Sequence, residues 1–110
     1  MSDFVIVFTT VPPDFDSTAF ANEAVEARVA ACVNILPAMQ SVYAWDGVIH
    51  SDQEVQLTIK TTRGQVGALW TLLRARHPYD VPEFIVVPIL EGNPDYLKWI
   101  SNSSGAKPGA

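Results

Sequence analysis

The dipeptide Asp46-Gly47 constrains this chain more than any other pair, because Asp-Gly between two runs of alternating polar and apolar residues specifies a two-residue hairpin turn. The run before it, Ala31 to Trp45, and the run after it, Val48 to Thr62, are each far longer than the roughly five or six residues of an ordinary strand. Arms of that length outrun a small core. Their far end, carrying Tyr43, Trp45 and Val48, must stand in solvent or lie against another copy of the protein.

Register adds a second constraint. Counting back from a Trp45–Val48 pair, strict pairing sets Ile35 opposite Thr58 and Val33 opposite Lys60, which puts the apolar residues of the two arms on opposite faces. One extra residue in the first arm returns Val33 and Ile35 to the face of Leu57 and Ile59. Pro37 marks the place for such a β-bulge, since proline has no N–H to give a ladder.

The flanking segments read as strand, helix, hairpin, helix, strand. Phe4 to Phe8 is a strand apolar on both faces, and Pro12-Pro13 turns the chain. Asp14, Asp16 or Ser17 caps a helix reaching Ala30, with Phe20, Ala24, Ala27 and Ala31 at helical spacing. Thr62 and Gln65 form a capping-box pattern before a second helix whose Val66, Leu69 and Leu73 share a face, and Pro78 ends it past His77. Glu83 to Ile89 is a strand without alternation, and Asn93-Pro94-Asp95 opens a short last helix.

This order is that of the ferredoxin-like βαββαβ sandwich, an α+β fold with a long β-hairpin and a short C-terminal helix. Residues 1–102 form one domain and 103–110 a polar, Gly/Ser-rich flexible tail, with packing expected to stop at Ser101. Two helices cover one sheet face, so the first and last strands, Phe4 to Phe8 and Phe84 to Ile89, apolar on both sides, require a lid from outside the monomer. Self-association into a closed homo-oligomer supplies it.

Composition excludes several classes. A chain of 110 residues, 48% hydrophobic and 17% charged, fits one globular domain. A net charge of −5 with seven Lys and Arg argues against a nucleic-acid partner. Lys60, Arg63, Arg74 and Arg76 read as surface charges at an arm's end and along a helix. One cysteine, Cys32, rules out an intramolecular disulfide and suits the reducing cytoplasm. No secretory leader is visible and no run is long enough to span a membrane. No Ser/His/Asp order, phosphate loop or Cys/His pair defines a reaction, so the chain does not read as an enzyme.

The segments A-A-C-V-N-I-L-P at Ala30 to Pro37, S-V-Y-x-W-x-G at Ser41 to Gly47, E-V-Q-L-T-I-K-T at Glu54 to Thr61, H-P-Y-D-V-P-E at His77 to Glu83 and G-N-P-D-Y-L-K-W-I at Gly92 to Ile100 occur in the order and spacing of one family. The chain resembles the CutA divalent-cation tolerance family over about nine-tenths of its length. The resemblance implies a homotrimer similar in architecture to PII-type signalling proteins, and a role linked to copper and other divalent cations. It also implies three copper-ligand positions, occupied here by Thr9, Arg76 and His77, of which only His77 is a donor the family uses.

His77 is therefore the metal candidate, for weak Cu(II) or another divalent cation with no cofactor required. It also ends a helix, where an imidazolium complements the dipole and satisfies a terminal carbonyl, the reading that outweighs metal binding. Cys32 reads as small-residue packing or a ligand contact, and His50 with Asp52 as a weak surface pair. Trp45, Lys60, Tyr79 and Glu83 form the ligand-binding constellation. Either Lys60 and Glu83 pair to tie strand ends, or the group lines a pocket at the subunit interface, walled by Trp45 of a neighbour's arm and holding a metal ion or small ligand. The alternative to cation tolerance is a trimeric small-ligand sensor or scaffold.

Overall fold

A computed structural model describes residues 3–107. Strand β1 (Phe4–Val11) buries every second side chain: Val5, Val7, Thr9 and Val11 are fully enclosed, and the intervening Phe4, Ile6, Phe8 and Thr10 face the other way, half-buried. Although both faces are largely apolar in sequence, the helices select one of them.

Helix α1 (Ser17–Glu26) starts at Asp16, whose Oδ1 accepts the Ala19 N–H at 3.0 Å. It ends four residues short of the expected Ala30. Arg28 takes a left-handed φ of 61°, the Val29 N–H donates to Ala24 O at 3.1 Å, and the Arg28 N–H donates to Val25 O at 3.1 Å. This is a Schellman closure with arginine at the position glycine usually holds. Tertiary contacts require it, because the next residues leave the helix to join the sheet. Thr61 Oγ1 donates to Val29 O at 2.8 Å and the Ala31 N–H donates to Lys60 O at 2.8 Å.

The hairpin follows as β2 (Cys32–Ile35), β3 (Met39–Trp45) and β4 (Val48–Thr62). Asp46 and Gly47 have φ of 51° and 77°, the type I′ geometry, and Trp45 pairs with Val48. Ile35 pairs with Leu57 whereas Met39 pairs with Glu54, so residues 36–38 oppose residues 55 and 56. The extra residue lies at Pro37, as the register argument requires. It places Val33 and Ile35 on the face of Ile59 and Leu57.

A 3₁₀ turn (Arg63–Gln65) leads into α2 (Val66–Arg76). The expected capping box does not form: neither Thr62 nor Gln65 makes a side-chain cap bond, and Thr62 Oγ1 lies 3.4 Å from Ser104 Oγ instead. Leu69 and Leu73 are fully buried against β1 and β4 residues, in a core with Phe20, Leu57 and Ile59. Strand β5 is shorter than expected, Ile85–Pro88, and runs antiparallel to β1 at the sheet edge, where Pro88 is tolerated. The sheet is antiparallel throughout in the order β2-β4-β1-β5, with β3 continuing along the distal part of β4.

The C-terminal segment packs further than its composition indicates. Helix α3 (Pro94–Ser103) is capped by Asn93, Ile100 is fully buried, and Ser104 donates its hydroxyl to Ile100 O at 2.7 Å. Arg28 Nε donates to Gly105 O at 2.7 Å, and the Gly105 N–H returns a bond to Arg28 O at 2.8 Å. Residues 103–106 of the expected tail are thus held by the domain, and residues 108–110 lie outside the described residues. Because Thr62 and Lys60 point to the sheet face opposite α1 and α2, their contacts with Ser104 and with the Tyr96 ring put α3 over one end of that face. The rest stays open, with Ile85 50% and Val87 39% exposed beside Ile6 and Phe8.

Candidate functional site

The pleat of β3 puts Met39, Ser41, Tyr43 and Trp45 on one face, and their partners across the ladder include Glu54 and Asp52. The loop from Pro78 to Glu83 rises opposite them. Between the two lies an open cleft of about 850 Å³ at the root of the arm, floored by Thr10, Glu54 and Gln56. Its lining contains the carboxylates Glu54, Asp80 and Glu83, the aromatics Tyr43, Trp45 and Tyr79, and no Lys, Arg or His.

Glu54 is the most enclosed of the carboxylates, with 8% of its surface exposed. The Tyr79 hydroxyl donates to its Oε2 at 3.2 Å. Burial, and next the Glu54 charge, push the Tyr79 phenol up to about 12. Burial raises the Glu83 carboxyl above its ordinary value, with repulsion from Glu54 adding to the shift. Farther out, Tyr43 donates its hydroxyl to Asp52 at 2.6 Å and stacks on His50 with ring centroids 5.4 Å apart. The hydrogen bond to Asp52 raises the Tyr43 phenol as well. The site is an acidic slot with aromatic walls, and such an arrangement attracts a cation.

Three of the residues singled out in the sequence meet here: Trp45, Tyr79 and Glu83. Trp45 reaches the lining from the chain's own arm. Lys60 and Cys32 do not reach the cleft. They pair with each other across β2 and β4, and Lys60 Nζ sits 5.8 Å from the Tyr96 ring centroid. The Lys60–Glu83 ion pair, one of the two alternatives, does not form because Lys60 pairs with Ile6, whereas Glu83 joins Thr10 in the cleft, about 13 Å along β1 at roughly 3.3 Å per residue. Cys32 Sγ lies 3.8 Å from Asn34 Oδ1.

His77 stands behind Tyr79, outside the cleft lining. Its Nδ1 accepts the Tyr79 N–H at 3.1 Å, so Nε2 carries the proton directed at Thr10 O, 2.7 Å away. The ring is 8% exposed and lies between Phe15 and Tyr79, at centroid distances of 6.2 and 4.7 Å. Arg76, next to it in sequence, turns away to α1, where its Nη2 and Nε bond Glu23 at 2.7 and 3.0 Å. Thr9 is buried with no partner for its hydroxyl, and no group of three His, Cys, Asp or Glu side chains among the described residues converges on a metal position. These donors do not fit a resident copper at His77, because both ring nitrogens are committed to the backbone.

Glu54 and Tyr43 were not picked out as site residues in the sequence although both lie in quoted motifs. The signal was the bulge itself. Once it fixes the Met39–Glu54 pair, alternate residues of β3 and β4 fall on the cleft side.

Fold and site together define a small antiparallel α+β protein with an acidic, aromatic cleft at the base of a projecting arm. The family model described as CutA1 divalent ion tolerance protein matches residues 5–103, and the chain belongs to that family. The divalent-cation tolerance protein CutA of Pectobacterium atrosepticum is 41% identical over 103 residues, covering 94% of each chain. The crystallised Cut A1 of Thermus thermophilus superposes with a TM-score of 0.89 at 42% identity, over 93% of this chain and 99% of that one. A chloroplastic CutA of Arabidopsis thaliana is 43% identical over 91% of this chain and 55% of its own. The family is named for tolerance of divalent ions and not for a reaction. No helix among the described residues is long and apolar enough to cross a membrane.

Proposed function

We propose that the protein acts in divalent-cation tolerance as a cytoplasmic homotrimer of ferredoxin-like subunits, without a resident metal and without catalysing a reaction. The observation that carries this reading is the cleft, in which the nearly buried Glu54 carboxylate stands beside Glu83 with no base in the lining. Such a slot takes divalent ions weakly, because its carboxylates offer fewer converging donors than a tight site needs. The strand order supports the ferredoxin-like assignment. The open sheet face, and an arm exposing Ile49 at 77% and Trp45 at 55%, support assembly.

The cleft's size also favours a second reading, a trimeric sensor of a small ligand, since about 850 Å³ lies within the usual range for small-molecule sites. Sedimentation and titration test both. The wild type sediments as a trimer, Trp45→Ala dissociates at higher concentration than the wild type, and Cu(II) binds weakly with no loss on His77→Ala. A stable monomer at micromolar concentration refutes the assembly. Tight copper binding that disappears in His77→Ala refutes the assignment of His77 to structure.

A further inference from the structure

We propose that the arm is a lever hinged at the Pro37 bulge, and that the Tyr79–Glu54 hydrogen bond is the strap that fixes its angle to the body of the subunit. The first observation is where the ladders stop. Strand β1 pairs with β4 from Thr62 to Val55 and β2 pairs with it from Lys60 to Leu57, whereas residues 48–54 of β4 pair with β3. The Met39–Glu54 pair therefore opens a two-stranded ribbon beyond the sheet, and a ribbon of two strands is marginally stable by itself. Trp45 pairs with Val48 six residues farther out, about 20 Å from the root at roughly 3.3 Å per residue. A small turn at the root is a large displacement at the tip.

The second observation is the joint. Residues 36–38 oppose residues 55 and 56, and Pro37 has no N–H to give, so the chain between β2 and β3 crosses the joint with its ladder interrupted. The Leu36 N–H donates to Gln56 O at 3.0 Å on the body side, and regular pairing resumes at Met39. Across this gap β4 runs on as the unbroken strand, and a bulge bends the strand that carries it.

The third observation is what spans the gap. Glu54 belongs to the root pair of the arm, is 8% exposed, and accepts the Tyr79 hydroxyl on Oε2 at 3.2 Å. Tyr79 is anchored to the body. Its N–H donates to His77 Nδ1 at 3.1 Å, the His77 Nε2–H donates to Thr10 O of β1 at 2.7 Å, and the His77 backbone N–H donates to Leu73 O of α2 at 2.7 Å. The other side-chain hydrogen bonds of the arm among the described residues, Gln40 to Ser51 and Tyr43 to Asp52, both 2.6 Å, stay within it. A bond to an enclosed carboxylate is stronger than one in water. The Tyr79 phenol, pushed up to about 12 by burial and next by the Glu54 charge, keeps its proton to donate throughout the neutral range.

Residual dipolar couplings of the full-length protein test the strap, because they report the orientation of the arm amides against those of the body. In the wild type one alignment tensor fits both. Tyr79→Phe keeps the ring and removes the hydroxyl. Its arm couplings shrink and leave the body's tensor, and exchange of the Leu36 amide at the joint rises about tenfold, as for the loss of one hydrogen bond to a charged group. Glu54→Leu removes the acceptor and repeats both changes; should it misfold, Tyr79→Phe decides. Tyr43→Phe, which removes a phenol–carboxylate bond inside the arm, leaves both measurements as in the wild type. A Tyr79→Phe arm that still fits the body's tensor with Leu36 exchange unchanged overturns the proposal, and so does a Tyr43→Phe arm that departs from that tensor as far.

Discussion

His77→Ala separates a structural histidine from a metal ligand by its effect in the absence of metal. The ring satisfies two backbone groups, the Thr10 carbonyl at 2.7 Å and the Tyr79 N–H at 3.1 Å. Truncation leaves both without a partner at a site that is 8% exposed, at a cost of about 1–3 kcal/mol each where water cannot replace the ring. Loss of packing between Phe15 and Tyr79 adds to this. Water entering from the Tyr79 side offsets part of the total, so the expected destabilisation is about 3 kcal/mol. Urea unfolding with excess chelator measures it, with wild type and variant at matched protomer concentration because assembly couples to stability. A loss below about 1 kcal/mol under chelation, with a gap that opens only when copper is added, refutes the structural assignment.

Glu83 provides a pH test. Its folded carboxyl is raised above its ordinary value, so the protonated form is favoured by the fold. Its contribution to stability is fully present below the unfolded carboxylate range and is lost as pH rises through the folded value. Glu83→Gln should therefore be at least as stable as the wild type at neutral pH and should flatten the rise in wild-type stability on acidification toward that range; parallel unfolding profiles exclude this. At the other end of the molecule, Arg28→Ala removes the guanidinium bonds to Gly105 O and Asn102 O while keeping a left-handed residue, and should cost about 2 kcal/mol. Arg28→Gly relieves the φ of 61° and should recover about 1 kcal/mol of that. Both variants should speed amide exchange in residues 101–106, and unchanged exchange there refutes the clamp.

The hairpin, its turn and its bulge were legible in the residues alone, because these follow from local rules. Asp-Gly sets the twist of the turn, proline breaks the ladder, and a pleat of period two forces Val33 and Ile35 to agree with Leu57 and Ile59. The strand and helix order and the family were legible for the same reason, as periodicity and collinear motifs need no long-range geometry. Element ends were less so. Arg28 ends α1 not from any propensity of its own but because Val29 and Ala31 are drawn to β4, and Ser104 packs because Thr62 and Ile100 receive it. The site needed tertiary structure most. Lys60 and Glu83 both mark strand ends in sequence, yet the sheet order sends them to different ends of β1. Glu54 lies in an ordinary strand pattern, and its burial arises only where the loop through Tyr79 folds over the root of the arm. Which side chains face the same water-poor space depends on how distant segments pack, and a linear pattern carries no measure of that distance.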